Sequence, residues 1–213
     1  LDDLNRKRRH NLGEDFARSG DATDIVILEE GEDLRQRCRL IVEMRNIPFG
    51  QQKQVFFYIA DRLPRFMKGA VDKTGNGAYL AEEAAMRYGA RIEEVSFSRE
   101  WYASKIPSYI EAFTDRTIDL PRHADVLADH QALQFVDGII RVPRDFRFKG
   151  SDGLDRHGDS AVAGALAWYA SRQTGTEIAY QPVTQAADGP DDRDNDRPWW
   201  RGPLGARLRG GVF

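Results

Sequence analysis

The chain has 213 residues, a formal net charge of −3, 41% hydrophobic and 31% charged residues, which describes one medium-sized folded domain with room for a tail. No apolar run reaches the roughly 20 residues of a membrane span, and the charged first residues lack the apolar stretch of a signal peptide. One cysteine, Cys38, and four histidines exclude a disulfide framework and a Cys/His zinc site; any bound metal must be held mainly by carboxylates, which suit magnesium or manganese.

Residues 1–11 carry the basic cluster Arg6, Lys7, Arg8, Arg9 and His10 and read as a linker or arm. Residues 12–16 are a short strand candidate interrupted by Glu14. Residues 24–30 (DIVILEE) and 37–43 (RCRLIVE) are β-branched and bounded by Gly31 and Asn46, and together the three predict an antiparallel meander. Pro48 opens a helix through Arg62, with Val55, Phe56 and Ile59 on its apolar stripe. Residues 66–72 (FMKGAVD) form a strand stopped by Lys73-Thr74-Gly75-Asn76-Gly77, and a helix over 78–88 follows, closed by Gly89.

A strand over 92–97, helices over 101–113 and 124–135, and a late strand over 139–142 come next, with Pro107 a kink point in the first helix. Residues 143–156 are polar and read as loop, whereas 157–172 (HGDSAVAGALAWYASR) is the most apolar helix of the chain. After Gln173 the sequence turns to Pro, Gly and Asp, which reads as a flexible tail with Trp199 and Trp200 as a partner anchor. The expected organisation is thus an arm over 1–11, an α/β domain over 12–172 and a tail over 173–213. Its sheet is mixed, an antiparallel meander followed by parallel βα units, flanked by helices.

Three acids fall at chemically telling places on this map. Asp15 ends the first strand, Asp72 ends the strand that opens the βα half, and Asp159 sits in the first turn of the last helix. If the Asp72 strand lies parallel beside the first, both carboxylates emerge at one end of the sheet, and the final helix need only cross that end to bring in Asp159. Three converging carboxylates can hold two divalent cations about 4 Å apart, the arrangement used for in-line phosphodiester cleavage. Each aspartate taken singly also fits a cap or a turn; their coincidence on one topology favours the metal reading.

The segments Gly13-Glu14-Asp15-Phe16-Ala17 with Gly20-Asp21-Ala22-Thr23, then Val71-Asp72-Lys73-Thr74-Gly75-Asn76-Gly77, and His157-Gly158-Asp159-Ser160-Ala161 carry a family resemblance. With Arg45-Asn46-Ile47-Pro48-Phe49 and Glu94-Val95-Ser96-Phe97, they resemble the nuclease domain of large terminase subunits of tailed bacteriophages, closest to the Mu-like branch. The resemblance runs from about Gly13 to Arg172 and implies a ribonuclease-H-like fold. It also implies a metal-dependent endonuclease that cuts concatemeric double-stranded DNA during genome packaging, in the bacterial host cytoplasm. On the matching positions Asp15, Asp72 and Asp159 become the catalytic acids that bind two Mg2+ or Mn2+ ions. Glu14 departs from the pattern, standing where the family has an apolar strand residue. No G-x-x-x-x-G-K-[ST] loop occurs, so the packaging ATPase domain is expected as a separate partner, with portal and small terminase subunit.

Around these acids several residues have both a functional and a plain reading. Asp21 and Asp155 are candidate outer ligands or ordinary loop acids, and His157 is a candidate to orient a metal-bound water or simply a helix-start histidine. Gly75, Asn76 and Gly77 precede a helix whose free N–H groups suit a DNA phosphate, or make a tight turn. Arg141, Arg144, Arg147, Lys149 and Arg156 crowd the last loop, as a phosphate cradle or a solvated loop. A junction resolvase or transposase on the same scaffold would use like acids, and a non-catalytic assembly module would use them only structurally. An actin-like phosphotransferase would need a second glycine-rich phosphate loop, for which Arg18-Ser19-Gly20-Asp21 is a poor candidate.

Overall fold

The computed structural model describes residues 1–17 and 22–173. β1 (His10–Asp15), β2 (Thr23–Glu30) and β3 (Gln36–Met44) form the antiparallel meander, in a register that sets His10 opposite Glu29 and Asp15 opposite Asp24. Helix α1 (Phe49–Arg62), with Pro48 just before its first turn, crosses over to β4 (Phe66–Asp72), which pairs parallel with β1. A single 3-10 turn over Gly75–Gly77 leads into α2 (Ala78–Tyr88), and β5 (Ile92–Val95) then pairs parallel with β4. Helix α3 (Arg99–Thr114) runs through Pro107 without a break and delivers β6 (Ile118–Asp119) to the far edge of the sheet. The strand order is β5-β4-β1-β2-β3-β6.

Because side chains alternate across a strand, each strand feeds two cores. Leu12, Ile25, Ile27 and Val71 pack under α1 and α2 with Phe56, Ile59 and Leu80. Val26 and Leu28 face the opposite way, toward Ile106 and Tyr109 of α3 and Ala163 and Trp168 of the last helix, α5 (Asp159–Ser171). Eight of the thirteen residues of helix α5 are Gly, Ala or Ser, and the helix lies against the sheet backbone: a Cβ on Gly13 would fall 2.1 Å from the Ala163 carbonyl oxygen and 2.2 Å from the Ala167 nitrogen. Glycine at 13 is therefore a packing requirement of the central strand.

Between α3 and α5 lie α4 (Ala124–Gln131), the hairpin β7 (Gln134–Val136) and β8 (Ile139–Arg141), and the short pair β9 (Phe148–Lys149) and β10 (Asp155–Arg156). The helix expected over 124–135 thus stops early. Asp137 and Gly138 both take positive φ (51° and 83°), the two-residue hairpin turn that Asp-Gly favours, so Phe135 belongs to a strand. The polar stretch 143–156, expected as plain loop, contains the β9–β10 pair. β6 has no counterpart among the expected elements, being too short to show a period.

The expected arm over 1–11 differs most from the structure. Leu4 is buried, Leu1 packs on the α1/α2 core, and His10 and Asn11 are already part of β1. The cause is pairing: His10 is fully buried with Nδ1 2.6 Å from the Pro64 carbonyl and Nε2 3.2 Å from Glu29. The segment 174–213, with Trp199 and Trp200, lies outside the described residues, as do Arg18 to Asp21. Among the described residues no helix is long and apolar enough to cross a membrane.

Candidate metal centre and nucleic-acid interface

Strands β1, β2 and β4 place three acids at one end of the sheet. Asp15 and Asp72 are the last residues of parallel neighbours, and Asp24, opposite Asp15, begins the functional end of β2. By strand alternation all three face the α5 side, as Gly13, Ala70 and Val26 do. Gly158, with φ 91° in the left-handed region, turns the chain into α5 so that Asp159 opens the helix above them.

The charges gathered at this end act on one another. Burial, then Asp159, then Asp72 push the Asp15 carboxyl well above the usual range, with Glu14 and Asp24 adding to the effect. Asp72 is raised by burial, against a hydrogen bond of 2.7 Å that its Oδ1 accepts from the Thr74 N–H. Asp159 accepts a bond of 3.3 Å from the Ala22 N–H, and the His157 ring lies 3.8 Å away from its carboxylate. Among the described residues no lysine or arginine pairs with Asp15, Asp24 or Asp72. Nor do any three acids, histidines or Cys38 close into a ready-made ion cage there. The donor set nonetheless suits a hard divalent cation in kind: it is all oxygen and largely buried, and the cation whose charge reaches it, Arg156, is already bound to Glu43 and Asp129.

The neighbouring candidates separate. His157 is half-buried, its Nε2 3.3 Å from the Pro143 carbonyl, and stays beside Asp159. Asp155 is exposed and pairs with Lys149 at 2.8 Å, because strand alternation turns it outward while Arg156 turns in. Asp21 falls outside the described residues. Gly75 and Asn76 are exposed in the turn after Asp72, with Gly77 buried behind them. Arg144, Arg147 and Lys149 are exposed on the last loop.

Three acids that matter here lie outside the motifs. Glu43, across from Asp24 on β3, and Asp129 of α4 are both bound by Arg156, at 2.7 and 2.9 Å, and Ser160 donates to Asp129 at 2.5 Å. Asp24 is the third. Sequence period alone places Asp24 on the face of Val26 and Leu28, but the charges around it include Asp129, Arg156 and Asp159, from distant segments of the chain.

Beside the acids a cleft of about 420 Å3 runs between the start of α3 and the segment 139–144, lined by Arg99, Tyr102, Arg141, Arg144 and His157. Burial, then Asp15 and Asp72, drive the Tyr102 hydroxyl upward, which places that ring within electrostatic reach of both acids. A basic cleft opening on an acidic end is a geometry that suits a phosphodiester, with its backbone held by arginines and its reacting phosphate over the carboxylates.

No protein-family model matches the chain. The Mu-like prophage FluMu protein gp28 of Haemophilus influenzae is 38% identical over 184 residues, 86% of this chain and 36% of that protein. The "Probable terminase, large subunit gp28" of Escherichia phage Mu is 40% identical over 201 residues, 92% of this chain and 36% of that protein. The chain therefore spans about a third of the length of the curated relatives it matches. Among solved structures, the large terminase nuclease from thermophilic phage G20c with bound magnesium superposes with a TM-score of 0.60 at 14% identity, over 78% of this chain and 84% of that one. Its ribonuclease-H-like fold is shared by the described residues. At 38% and 40% identity the chain is homologous to about a third of the gp28 proteins of Mu-like phages, one of them described as a probable large terminase subunit, and it has the fold of a terminase nuclease.

Proposed function

We propose that this domain is a metal-dependent DNA endonuclease that cuts concatemeric double-stranded DNA during phage genome packaging. The observation that carries the reading is that Asp15, Asp72 and Asp159 lie at one sheet end, where the other two push the buried Asp15 carboxyl upward and, among the described residues, no lysine or arginine pairs with Asp15 or Asp72. These three would hold two divalent ions, magnesium or manganese, and the G20c nuclease has been solved with magnesium and with cobalt bound. When bound, such ions supply Lewis-acid stabilisation of the phosphate and an activated water. The chain's own part is placement. Arg99, Arg141 and Arg144 would hold flanking phosphates in the cleft, and the Gly75-Asn76-Gly77 turn would offer backbone N–H groups to another.

His157, beside Asp159, would hold a water or phosphate oxygen at the mouth of the cleft. Asp155 takes no part in this reading beyond fixing Lys149. The partners follow from the family: double-stranded DNA, the packaging ATPase region, portal and small terminase subunit, in the host cytoplasm.

Plasmid cleavage with Mn2+ tests the reading against a purely structural role for the acids. Asp15→Asn, Asp72→Asn and Asp159→Asn should each lower cleavage by on the order of 100- to 1,000-fold while the variants still melt cooperatively. An Asp72→Asn variant that melts early yet cuts DNA at low temperature would make Asp72 a turn residue and end the metal assignment.

A further inference from the structure

We propose that Asp24 is a fourth carboxylate of the cation site, completing from β2 the set that Asp15, Asp72 and Asp159 begin. The inference rests on the cation-binding reading above and extends it to a residue outside the three family motifs.

Asp24 is wholly buried, and neither of its carboxylate oxygens has a hydrogen-bond partner. Such a group costs several kcal/mol unless something answers it. The donors nearest to it are already committed. Arg156 gives Nη1 to Glu43 at 2.7 Å and Nη2 and Nε to Asp129 at 2.9 and 3.3 Å, and the Ser160 hydroxyl also goes to Asp129. The Ala22 N–H, two residues before Asp24, is spent on Asp159. What remains facing Asp24 is more acid: Asp15 directly across the ladder, Asp159 above, Glu43 on the other side. A cation drawing the Asp15, Asp24 and Asp159 carboxylates in from their metal-free spacing, in which no three described acids form a cage, would answer all of them at once.

Glu14 shows that burial without a partner is not sufficient by itself. Both its oxygens are also buried and unpartnered. Strand alternation, however, turns Glu14 to the α1/α2 face among Leu12, Ile25 and Val71, where burial dominates and Asp72 is the acid whose charge reaches it. A single proton answers Glu14, whereas around Asp24 the charges of Asp159, Glu43 and Asp129 converge, and one divalent cation offsets several of them together.

The test is Mn2+ titration of the full 213-residue chain by calorimetry and by thermal melting, on the wild type, Asp24→Asn and Glu14→Gln. Asp24→Asn should melt higher than wild type without metal, bind Mn2+ at least about tenfold more weakly, and lose most of the Mn2+-induced rise in melting temperature. Glu14→Gln should bind Mn2+ as the wild type does. Wild-type affinity in Asp24→Asn overturns the proposal for Asp24 alone, whereas a wild type that binds no Mn2+ overturns the cation reading of the whole site. If Asp24→Asn does not fold, the carboxylate carbon-13 shift of Asp24 in the wild type decides. It should move with Mg2+ alongside Asp15, and a resonance that stays fixed through saturation rejects the proposal.

Discussion

The β1–β2 ladder has two ends built on opposite principles. At the His10 end the acids have basic partners: Glu29 meets His10 at 3.2 Å, Glu30 meets Arg9 at 3.6 Å, Arg8 binds Glu32, and Asp33 meets Arg37 at 2.6 Å. At the other end, Asp15 has Asp24 across from it on β2 and Asp72 at the end of β4 on its other side, and among the described residues no lysine or arginine pairs with any of the three. Both ends are built by the same strands, so strand propensity cannot account for the difference, and it is the buried Asp24 that goes without a partner while the exposed Glu32 and Asp33 have theirs. An end that satisfies its charges internally contributes to the fold; an end that leaves them unsatisfied sacrifices stability to hold charge for something else.

The largest expected effect lies where the two principles touch, at Arg156. Among the described residues it is the arginine that binds both Glu43 and Asp129, within the acidic neighbourhood, and is itself 6% exposed, while Arg45 binds Glu43 as well. Arg156→Ala should cost about 3–5 kcal/mol of stability, because buried Asp129 loses its counter-charge and half-buried Glu43 is left with Arg45 alone, both beside Asp24. Mn2+ should restore part of that loss, since added cation offsets the same excess of negative charge. A melting curve of Arg156→Ala that ignores Mn2+ would separate the Arg156 network from the cation site.

At the satisfied end the same kind of deletion should behave differently. His10→Ala removes a fully buried ring that bonds both Glu29 and the Pro64 carbonyl. The expected cost is about 2–3 kcal/mol, and Mn2+ should not change it. Neutralising an acid at the other end should reverse the sign. Asp15→Asn relieves repulsion from Asp159 and Asp72 and should raise the metal-free stability by about 1 kcal/mol, measured in the presence of a chelator. A fall instead would show that Asp15 is satisfied by contacts in the fold, and the contrast between the two ends would collapse.

One half of this contrast is legible in the amino-acid sequence, and the other half is not for definite reasons. The strand over 66–72 and the helix over 78–88 match their expected bounds because Gly89 and the Gly75–Gly77 turn punctuate them sharply. The positions of Asp15, Asp72 and Asp159 at strand ends and a helix start follow from the same punctuation. The roles of Asp24 and Arg156 are hidden because they lie in register and in contacts between distant segments; no local period shows that Asp24 stands across from both Asp15 and Glu43. His10 is hidden for the opposite reason: a run of basic residues looks like a solvated arm until Glu29 is brought against it from β2. The Asp137-Gly138 turn does carry a local signal, but the apolar residues around it also fit a helical stripe, and the two patterns compete.

The smallest expected change in stability, with a clear change in binding, concerns the last loop. Arg144, Arg147 and Lys149 are exposed on a segment that is fastened down rather than free. Arg45 donates to the Asp155 carbonyl at 2.6 Å, Ser151 bonds Asp125 through its N–H at 2.9 Å and its hydroxyl at 2.6 Å, and Arg156 anchors the end. Fixed cations cost less entropy to present to a phosphate backbone than cations on a loose loop. Replacing all three with alanine should leave stability within about 0.5 kcal/mol. It should weaken binding to duplexes of any sequence and reduce the salt slope of log K by about 2–3, since each lost phosphate contact removes roughly 0.9 of a released counterion. Lys149 sets the lower figure, because its ammonium already pairs with Asp155 at 2.8 Å and contributes less to DNA while that pair persists. Arg156→Ala should weaken binding too, but by releasing the loop, and therefore with a drop in melting temperature that the triple variant lacks. A triple variant with the wild-type slope would leave the phosphate contacts in the cleft to Arg99 and Arg141, and make the loop a frame for Arg156.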